Sequence, residues 1–184
     1  MAEGKILKPD QDFSSILDAE LPSISPLPLP QALERLTALE KQTRQASDAI
    51  STKRILILVV QLCAQSNEWD LLNDNILAFS KKHGQLKAAA QGMVAEAWGI
   101  LKKKDWVEER KVEQRGNLIE TLRVVTEGKV FVEVERARVT RLLVGILEHS
   151  TPSKVAEAAI TLCELQVETY GSMYRLKGMV DADC

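Results

Sequence analysis

Histidine is nearly absent from this 184-residue sequence, which holds only His83 and His149. Neither has a second histidine, a cysteine or an acid at metal-ligand spacing, so no metal site is expected. Three cysteines, Cys63, Cys163 and Cys184, stand too far apart for a ligand cluster. An odd, sparse count reads as reduced thiols in a protein of the cytoplasm or nucleus. No glycine-rich phosphate loop occurs, because Gly84, Gly92, Gly99, Gly116 and Gly128 are scattered. Gly171-Ser172-Met173 lacks the flanks of a nucleophile elbow. No catalytic residue and no cofactor site emerge, and the chain does not read as an enzyme. Long apolar runs are missing too. The longest, Ile55 to Val60, has six residues, where a bilayer needs about 20. The N-terminus lacks the apolar core of a secretory signal. A net charge of −2 gives no electrostatic reason to expect nucleic acid.

Proline is scarce except at one end. Pro9, Pro22, Pro26, Pro28 and Pro30 fall in the first thirty residues, and Pro152 stands alone beyond them. The same thirty residues carry five acids against two bases, while the remainder has 22 Lys+Arg and 21 Asp+Glu. The run Pro26-Leu27-Pro28-Leu29-Pro30 favours polyproline II and blocks helix before its end. Residues 1–30 are therefore expected to form a flexible, proline-rich acidic leader, with a helix starting at Gln31.

After Pro30 the helical period dominates. Leu33, Leu36 and Leu39 share one side, and Trp69, Leu72, Ile76 and Phe79 step by three, four and three. Asn67 is placed to cap that second run and Gly84 to stop it. Leu86, Ala89, Ala90, Met93, Val94, Ala97 and Leu101 give the next stripe. Gly92 and Gly99 within it imply a close neighbouring helix. Leu118, Leu122 and Val125 form another stripe closed by Gly128. Thr151-Pro152 reads as a helix start, followed by Val155, Ala158, Ala159, Leu162 and Leu165. Ile55–Val60 and Val130–Val134 have strand propensity, but each lies among charges at helical spacing and reads as helix. About seven helices on short links imply antiparallel hairpins. Trp69 and Trp106 recur 37 residues apart, near the period of two-helix repeats. The pattern alone leaves a solenoid and a compact bundle both open.

Charge clusters have local readings. Lys81-Lys82-His83 and Lys102-Lys103-Lys104 sit at helix ends, where cations complement the dipole. Arg136, Arg138 and Arg141 share a helix with Glu133 and Glu135. They either pair internally or dock on an acidic protein surface.

Three blocks carry a resemblance: Leu39 to Lys87, Ile119 to Leu143 (with VTEGKVFVEVERAR), and Glu164 to Met173 (ELQVETYGSM). They resemble, in order, the N-terminal part of the family of regulatory subunit 12 of the 26S proteasome, a non-ATPase lid subunit with a PCI domain. The resemblance implies a right-handed α-solenoid of antiparallel, TPR-like helix pairs, and so selects the solenoid. It implies a non-catalytic scaffold in ubiquitin-dependent protein degradation. The partners implied are other lid subunits, the proteolytic core or the ATPase ring. Lys41, Arg44, Arg136 and Arg138 lie in the matching blocks without an evident core role and are expected as partner contacts. Stabilisation of their own helices is the competing role. A helical-repeat domain is expected over 31–173 and a divergent tail over 174–184. Because family members continue into further repeats, the chain reads as a truncated form. Its exposed last helix, Val155 to Tyr170, is expected to self-associate or capture a partner. A free-standing helical regulator that competes with the full-length subunit is the alternative.

Overall fold

Helix limits follow local chemistry over much of the chain. The structure, a computed structural model, describes residues 9–103, 106, 109–148, 154, 156–164 and 167. Among them are seven α-helices, one 3₁₀ turn and no strand. The helices are α1 (Ser14–Ile24), α2 (Leu29–Gln45), α3 (Ala49–Gln65), α4 (Trp69–Lys81), α5 (Lys87–Lys103), α6 (Glu109–Thr126) and α7 (Glu133–Glu148). The 3₁₀ turn, Val130–Val132, leads directly into α7. A further helical stretch covers 156–164. The helix start at Thr151-Pro152, Val155, Leu165, His149 and the tail over 174–184 lie outside the described residues.

The two β-branched segments are helical, as expected. Ile55–Val60 sits inside α3 with Ile55, Leu56, Val59 and Val60 buried. Val130–Val134 is divided between the 3₁₀ turn and the first turn of α7. In Ile55–Val60, burial of one face outweighs the small intrinsic cost of β-branching in a helix.

Residues divide into two compact units, Met1–Thr121 and Leu122–Cys184. In the first, α3 is central and touches α1, α2, α4 and α5, with its largest contact against α5. Consecutive helices pair across short links, and helices two apart stack, which is solenoid-like packing. Leu36, Ile55, Leu56, Leu72, Ile76, Met93 and Leu101 are fully buried there. Each such side chain contributes about 1.5–3 kcal/mol relative to exposure. Gly92 of α5 faces Lys53 of α3 so closely that an added Cβ would lie 2.6 Å from Lys53 Cγ. The expected close neighbour is therefore present at Gly92. Gly99 has nothing within 4 Å of that position, and its small size has no packing account. In the second unit the 3₁₀ turn packs on α7. Val144, Leu147 and Ala158 also form a cluster there, with Leu143 against it.

Two helix joints are built alike. At the end of α2, Ser47 takes φ 56°, Ser47 N–H donates to Arg44 O and Asp48 N–H to Thr43 O. At the end of α3, Asn67 takes φ 57°, with its N–H on Ala64 O and that of Glu68 on Cys63 O. These are Schellman closures in which a polar residue, not glycine, occupies the left-handed position. Asn67 thus ends α3 instead of capping α4. The N-cap of α4 is Glu68, and its side chain makes no cap bond. The tryptophan spacing also changes meaning. Trp69 opens α4, whereas Trp106 is non-helical and donates its Nε1–H to Leu101 O at 3.0 Å. Their rings meet edge-on, 5.0 Å between centroids at 62°. They are contact partners, not equivalent positions of a repeat.

Residues 14–24, expected within a flexible leader, form α1. Local polarity hides it, and tertiary bonds create it. Asp10 N–H donates to Ala46 O at 2.9 Å, and Phe13 N–H to the buried Asp48 Oδ2 at 2.9 Å. Ser14 N–H donates to Asp12 Oδ1 at 2.8 Å, which holds that carboxyl below its usual 3.8. Phe13, Leu17 and Ile24 are buried. Asp18 pairs with Arg54 at 2.6 Å, but both are solvated and the pair adds little. Pro22 lies one turn from the C-terminal end of α1, where its missing N–H costs one bond. After it, α2 starts at Leu29, so Pro30 sits in the first turn. There a proline needs no partner for its nitrogen.

Asp48→Ala is expected to lower unfolding free energy by about 2 kcal/mol, since two backbone N–H groups lose a charged acceptor. Hydrogen exchange should rise most across residues 13–24. An unchanged exchange profile in α1 would contradict the tethering role of Asp48.

Candidate functional site

The apolar stripe of α2 contains one acid. Leu33, Leu36 and Leu39 are buried, and so is Glu40, at 0% exposure. A carboxylate in that position must be paired and hydrogen-bonded or it would destabilise the fold by several kcal/mol. Three side chains satisfy it. Arg44 Nε donates to Oε1 at 3.0 Å, one turn further along the same helix. Lys82 Nζ donates to Oε2 at 2.7 Å, and Gln85 Nε2 reaches Oε1 at 3.3 Å. Lys82 and Gln85 belong to the link between α4 and α5, so the carboxylate joins α2 to that link.

Secondary bonds orient these partners. Arg44 Nη1 donates to His83 O at 2.7 Å, and Gln85 Nε2 also donates to Phe79 O at 3.0 Å. Gln85 Oε1 accepts from Leu86 N–H at 3.0 Å, just before α5. Lys82 Nζ lies 4.2 Å from the centroid of the Phe79 ring, a cation–π contact. Gly84 completes the link with φ 71°, a conformation that glycine adopts without a Cβ clash. Gly84 is expected to stop α4, but the helix has already ended at Lys81, where Lys82 turns extended, and Gly84 serves the turn of the link that follows. Lys82 does more than offset the dipole of α4, because it neutralises a buried acid.

The network continues along the α2–α3 hairpin. Thr43 Oγ1 donates to Glu40 O at 3.2 Å, and Thr52 Oγ1 lies 2.9 Å from Thr43 Oγ1 and 2.7 Å from Asp48 O. Asp48 Oδ1 accepts from Ser51 N–H at 3.0 Å, capping α3. Through Asp48 Oδ2 the network reaches Phe13 and α1. Reading residue spacing alone misses Glu40 and Asp48. Their signals are present in the sequence: an acid at apolar spacing after Leu33 and Leu36, and an aspartate directly before a helical run.

The four expected contact residues fall into two kinds. Lys41, on α2, is exposed, and so is Arg138 on α7. Arg44 is engaged with Glu40 and His83 O. Arg136 donates Nη1 to Arg123 O at 2.8 Å, satisfying a carbonyl in the last turn of α6. The structure does not bring the four together. Among the described residues, no group of three or more His, Cys, Asp and Glu is placed to hold a metal ion. No described helix is long and apolar enough to cross a membrane. Cys163 is exposed and Cys63 buried. Burial raises the Cys63 thiol from 9.0 to about 11, with Glu68 adding to the rise, so it stays an inert thiol at neutral pH.

Glu40→Gln is expected to cost about 3 kcal/mol in urea unfolding, because Lys82 and Arg44 lose their common counter-charge. Lys41→Ala should stay within about 0.5 kcal/mol, and equal losses would contradict the hub. Alkylation of the native chain should label Cys163 and spare Cys63 until denaturant is added. Because the unfolded Cys63 thiol ionises near 9.0 and the folded one near 11, its ionisation favours the unfolded chain as pH rises above about 9.

The chain matches the family described as PSMD12/CSN4, N-terminal, over residues 31–177. That span runs four residues into the stretch expected to diverge. It is 48% identical over 176 residues to the 26S proteasome regulatory subunit RPN5 of Saccharomyces cerevisiae, covering 94% of this chain and 38% of that protein. It is 39% identical over 170 residues to the 26S proteasome non-ATPase regulatory subunit 12 of Dictyostelium discoideum, covering 90% and 36%. For homolog A of that subunit in Arabidopsis thaliana, identity is 41% over 145 residues, covering 79% and 31%. The chain spans about a third of the length of these curated relatives. With the match covering most of its residues and the helical stack in place, the chain belongs to the PSMD12/CSN4 N-terminal family.

Proposed function

We propose that this chain serves as a non-catalytic scaffold segment of the 26S proteasome regulatory particle lid. It acts in ubiquitin-dependent protein degradation through contacts with other lid subunits, the proteolytic core or the ATPase ring, in the cytoplasm and nucleus. The observation that carries this reading is the family match over residues 31–177, with relatives named as proteasome regulatory subunits.

The physics of the joints agrees with a scaffold role. The carboxylates of Glu40 and Asp48 at the α2–α3 and α4–α5 links are hydrogen-bonded internally, which stiffens the stack and leaves outer faces for partners. Lys41 and Arg138 are the direct contacts in this reading. Arg44 and Arg136 act indirectly, by holding the helices that present them. The stretch after α7 exposes Ile160, Leu162 and Val167, and that apolar face is the candidate for self-association.

Affinity capture with the tagged chain, read by quantitative mass spectrometry, should enrich proteasome regulatory subunits over an untagged control. Recovery of unrelated partners without any proteasome subunit would refute the scaffold reading and favour the free-standing regulator. Sedimentation should show concentration-dependent association. A strict monomer across micromolar concentrations would remove the self-association arm.

A further inference from the structure

The outward face of α7 is not an ordinary solvated helix surface. Its inner face buries Glu135, Val139, Thr140, Val144 and Leu147, and Glu135 Oε2 has no hydrogen-bond partner among the described residues. On the opposite side, Val130 is 46% exposed and Val134 59% exposed. Ala137 is half-buried, and Arg138 and Arg141 are exposed. With Glu133, these residues line a shallow groove of about 450 Å³. Val134, Arg138 and Arg141 step by four and three along α7, and Val130, in the 3₁₀ turn just before the helix, extends the same groove lining. Its first half is aliphatic and its second half cationic.

The arginines on this helix are not equivalent. Arg136 is occupied with Arg123 O. Arg138 and Arg141 have neither a hydrogen bond nor an ion pair among the described residues. Two unpaired guanidinium groups one turn apart, continuous with two exposed valines, match a partner of opposite pattern. We propose that this groove is the docking site for an acidic amphipathic helix of a partner protein. Aliphatic side chains of that helix pack on Val130 and Val134, and two carboxylates one turn apart pair with Arg138 and Arg141. The facing helix needs about two turns to span Val134 to Arg141. Arginine forks on carboxylates supply the specificity, and the valines supply apolar burial. The proposal rests on the scaffold reading above and names the chemistry of one of its contacts.

The test uses the full chain and a synthetic helical peptide carrying two leucines and two glutamates at this spacing, followed by fluorescence anisotropy. A second peptide has lysines for the glutamates. The chain should prefer the glutamate peptide, and R138E/R141E should weaken that binding about tenfold or more. The same double variant should bind the lysine peptide better than the unaltered chain does. Val134→Asp should weaken both, with far-UV circular dichroism unchanged. Equal affinity for the two peptides would overturn the proposal. So would self-association that R138E/R141E abolishes, since it assigns the face to a second copy. In affinity capture, equal recovery of proteasome subunits by R138E/R141E and by the unaltered chain would overturn this inference and leave the scaffold reading standing. Loss of all proteasome subunits, with charge-dependent peptide binding intact, would overturn the scaffold reading alone.

Discussion

A carboxylate at 0% exposure organises the first unit. Glu40 lies in the apolar stripe of α2 and meets Arg44, Lys82 and Gln85. An unpaired charge there would cost several kcal/mol, so the helix carrying the acid and the link carrying its partners must stay together. The apolar contacts of α2 and α3 are non-directional and would tolerate small slides. The bonds to Glu40 are directional, and they set one register between α2 and the α4–α5 link. Arg44 extends the same constraint to the backbone at His83.

The hairpin turns carry the constraint onward. Ser47 and Asn67 hold left-handed conformations without being glycine. Each accepts a strain of order 1 kcal/mol so that the next residue's N–H can close the preceding helix. Asp48 stands just past the first of these turns and bonds to Phe13 and Ser51 together. From Phe13 to Gln85, buried or partly buried polar groups therefore form one connected path. Its members depend on each other, because removing one leaves its neighbours short of a partner.

A scaffold of the proposed kind needs stiffness and a free outer surface. Joints held by the bonded carboxylates of Glu40 and Asp48 meet the first need. The outer face of α7 meets the second, since Arg138 and Arg141 are unpaired among the described residues while Arg136 is taken up at the end of α6. Three arginines within six residues look alike in sequence. Their difference comes from where the helix points each one relative to α6.

Much of the architecture is legible from residue spacing. The stripes from Leu33, Trp69 and Leu118 and the helical state of Ile55–Val60 all rest on periodicity and local backbone preference. Such features involve neighbours within a turn or two, so sequence alone determines them. Other features bring together residues far apart in the chain. Asn67 reads as a cap for α4, but the closure of α3 claims it. Trp69 and Trp106 read as repeats and are a contact. Residues 14–24 lack a sustained apolar period, and they are helical because Asp48 and the α2–α3 turn hold Phe13 and Asp10. Glu40 is visible as an acid on an apolar stripe, but its neutralisation by Lys82 spans 42 residues. Local sequence determined where most helices run. Tertiary structure decided which polar groups are buried and paired, because pairing energies depend on distances that only the folded chain defines.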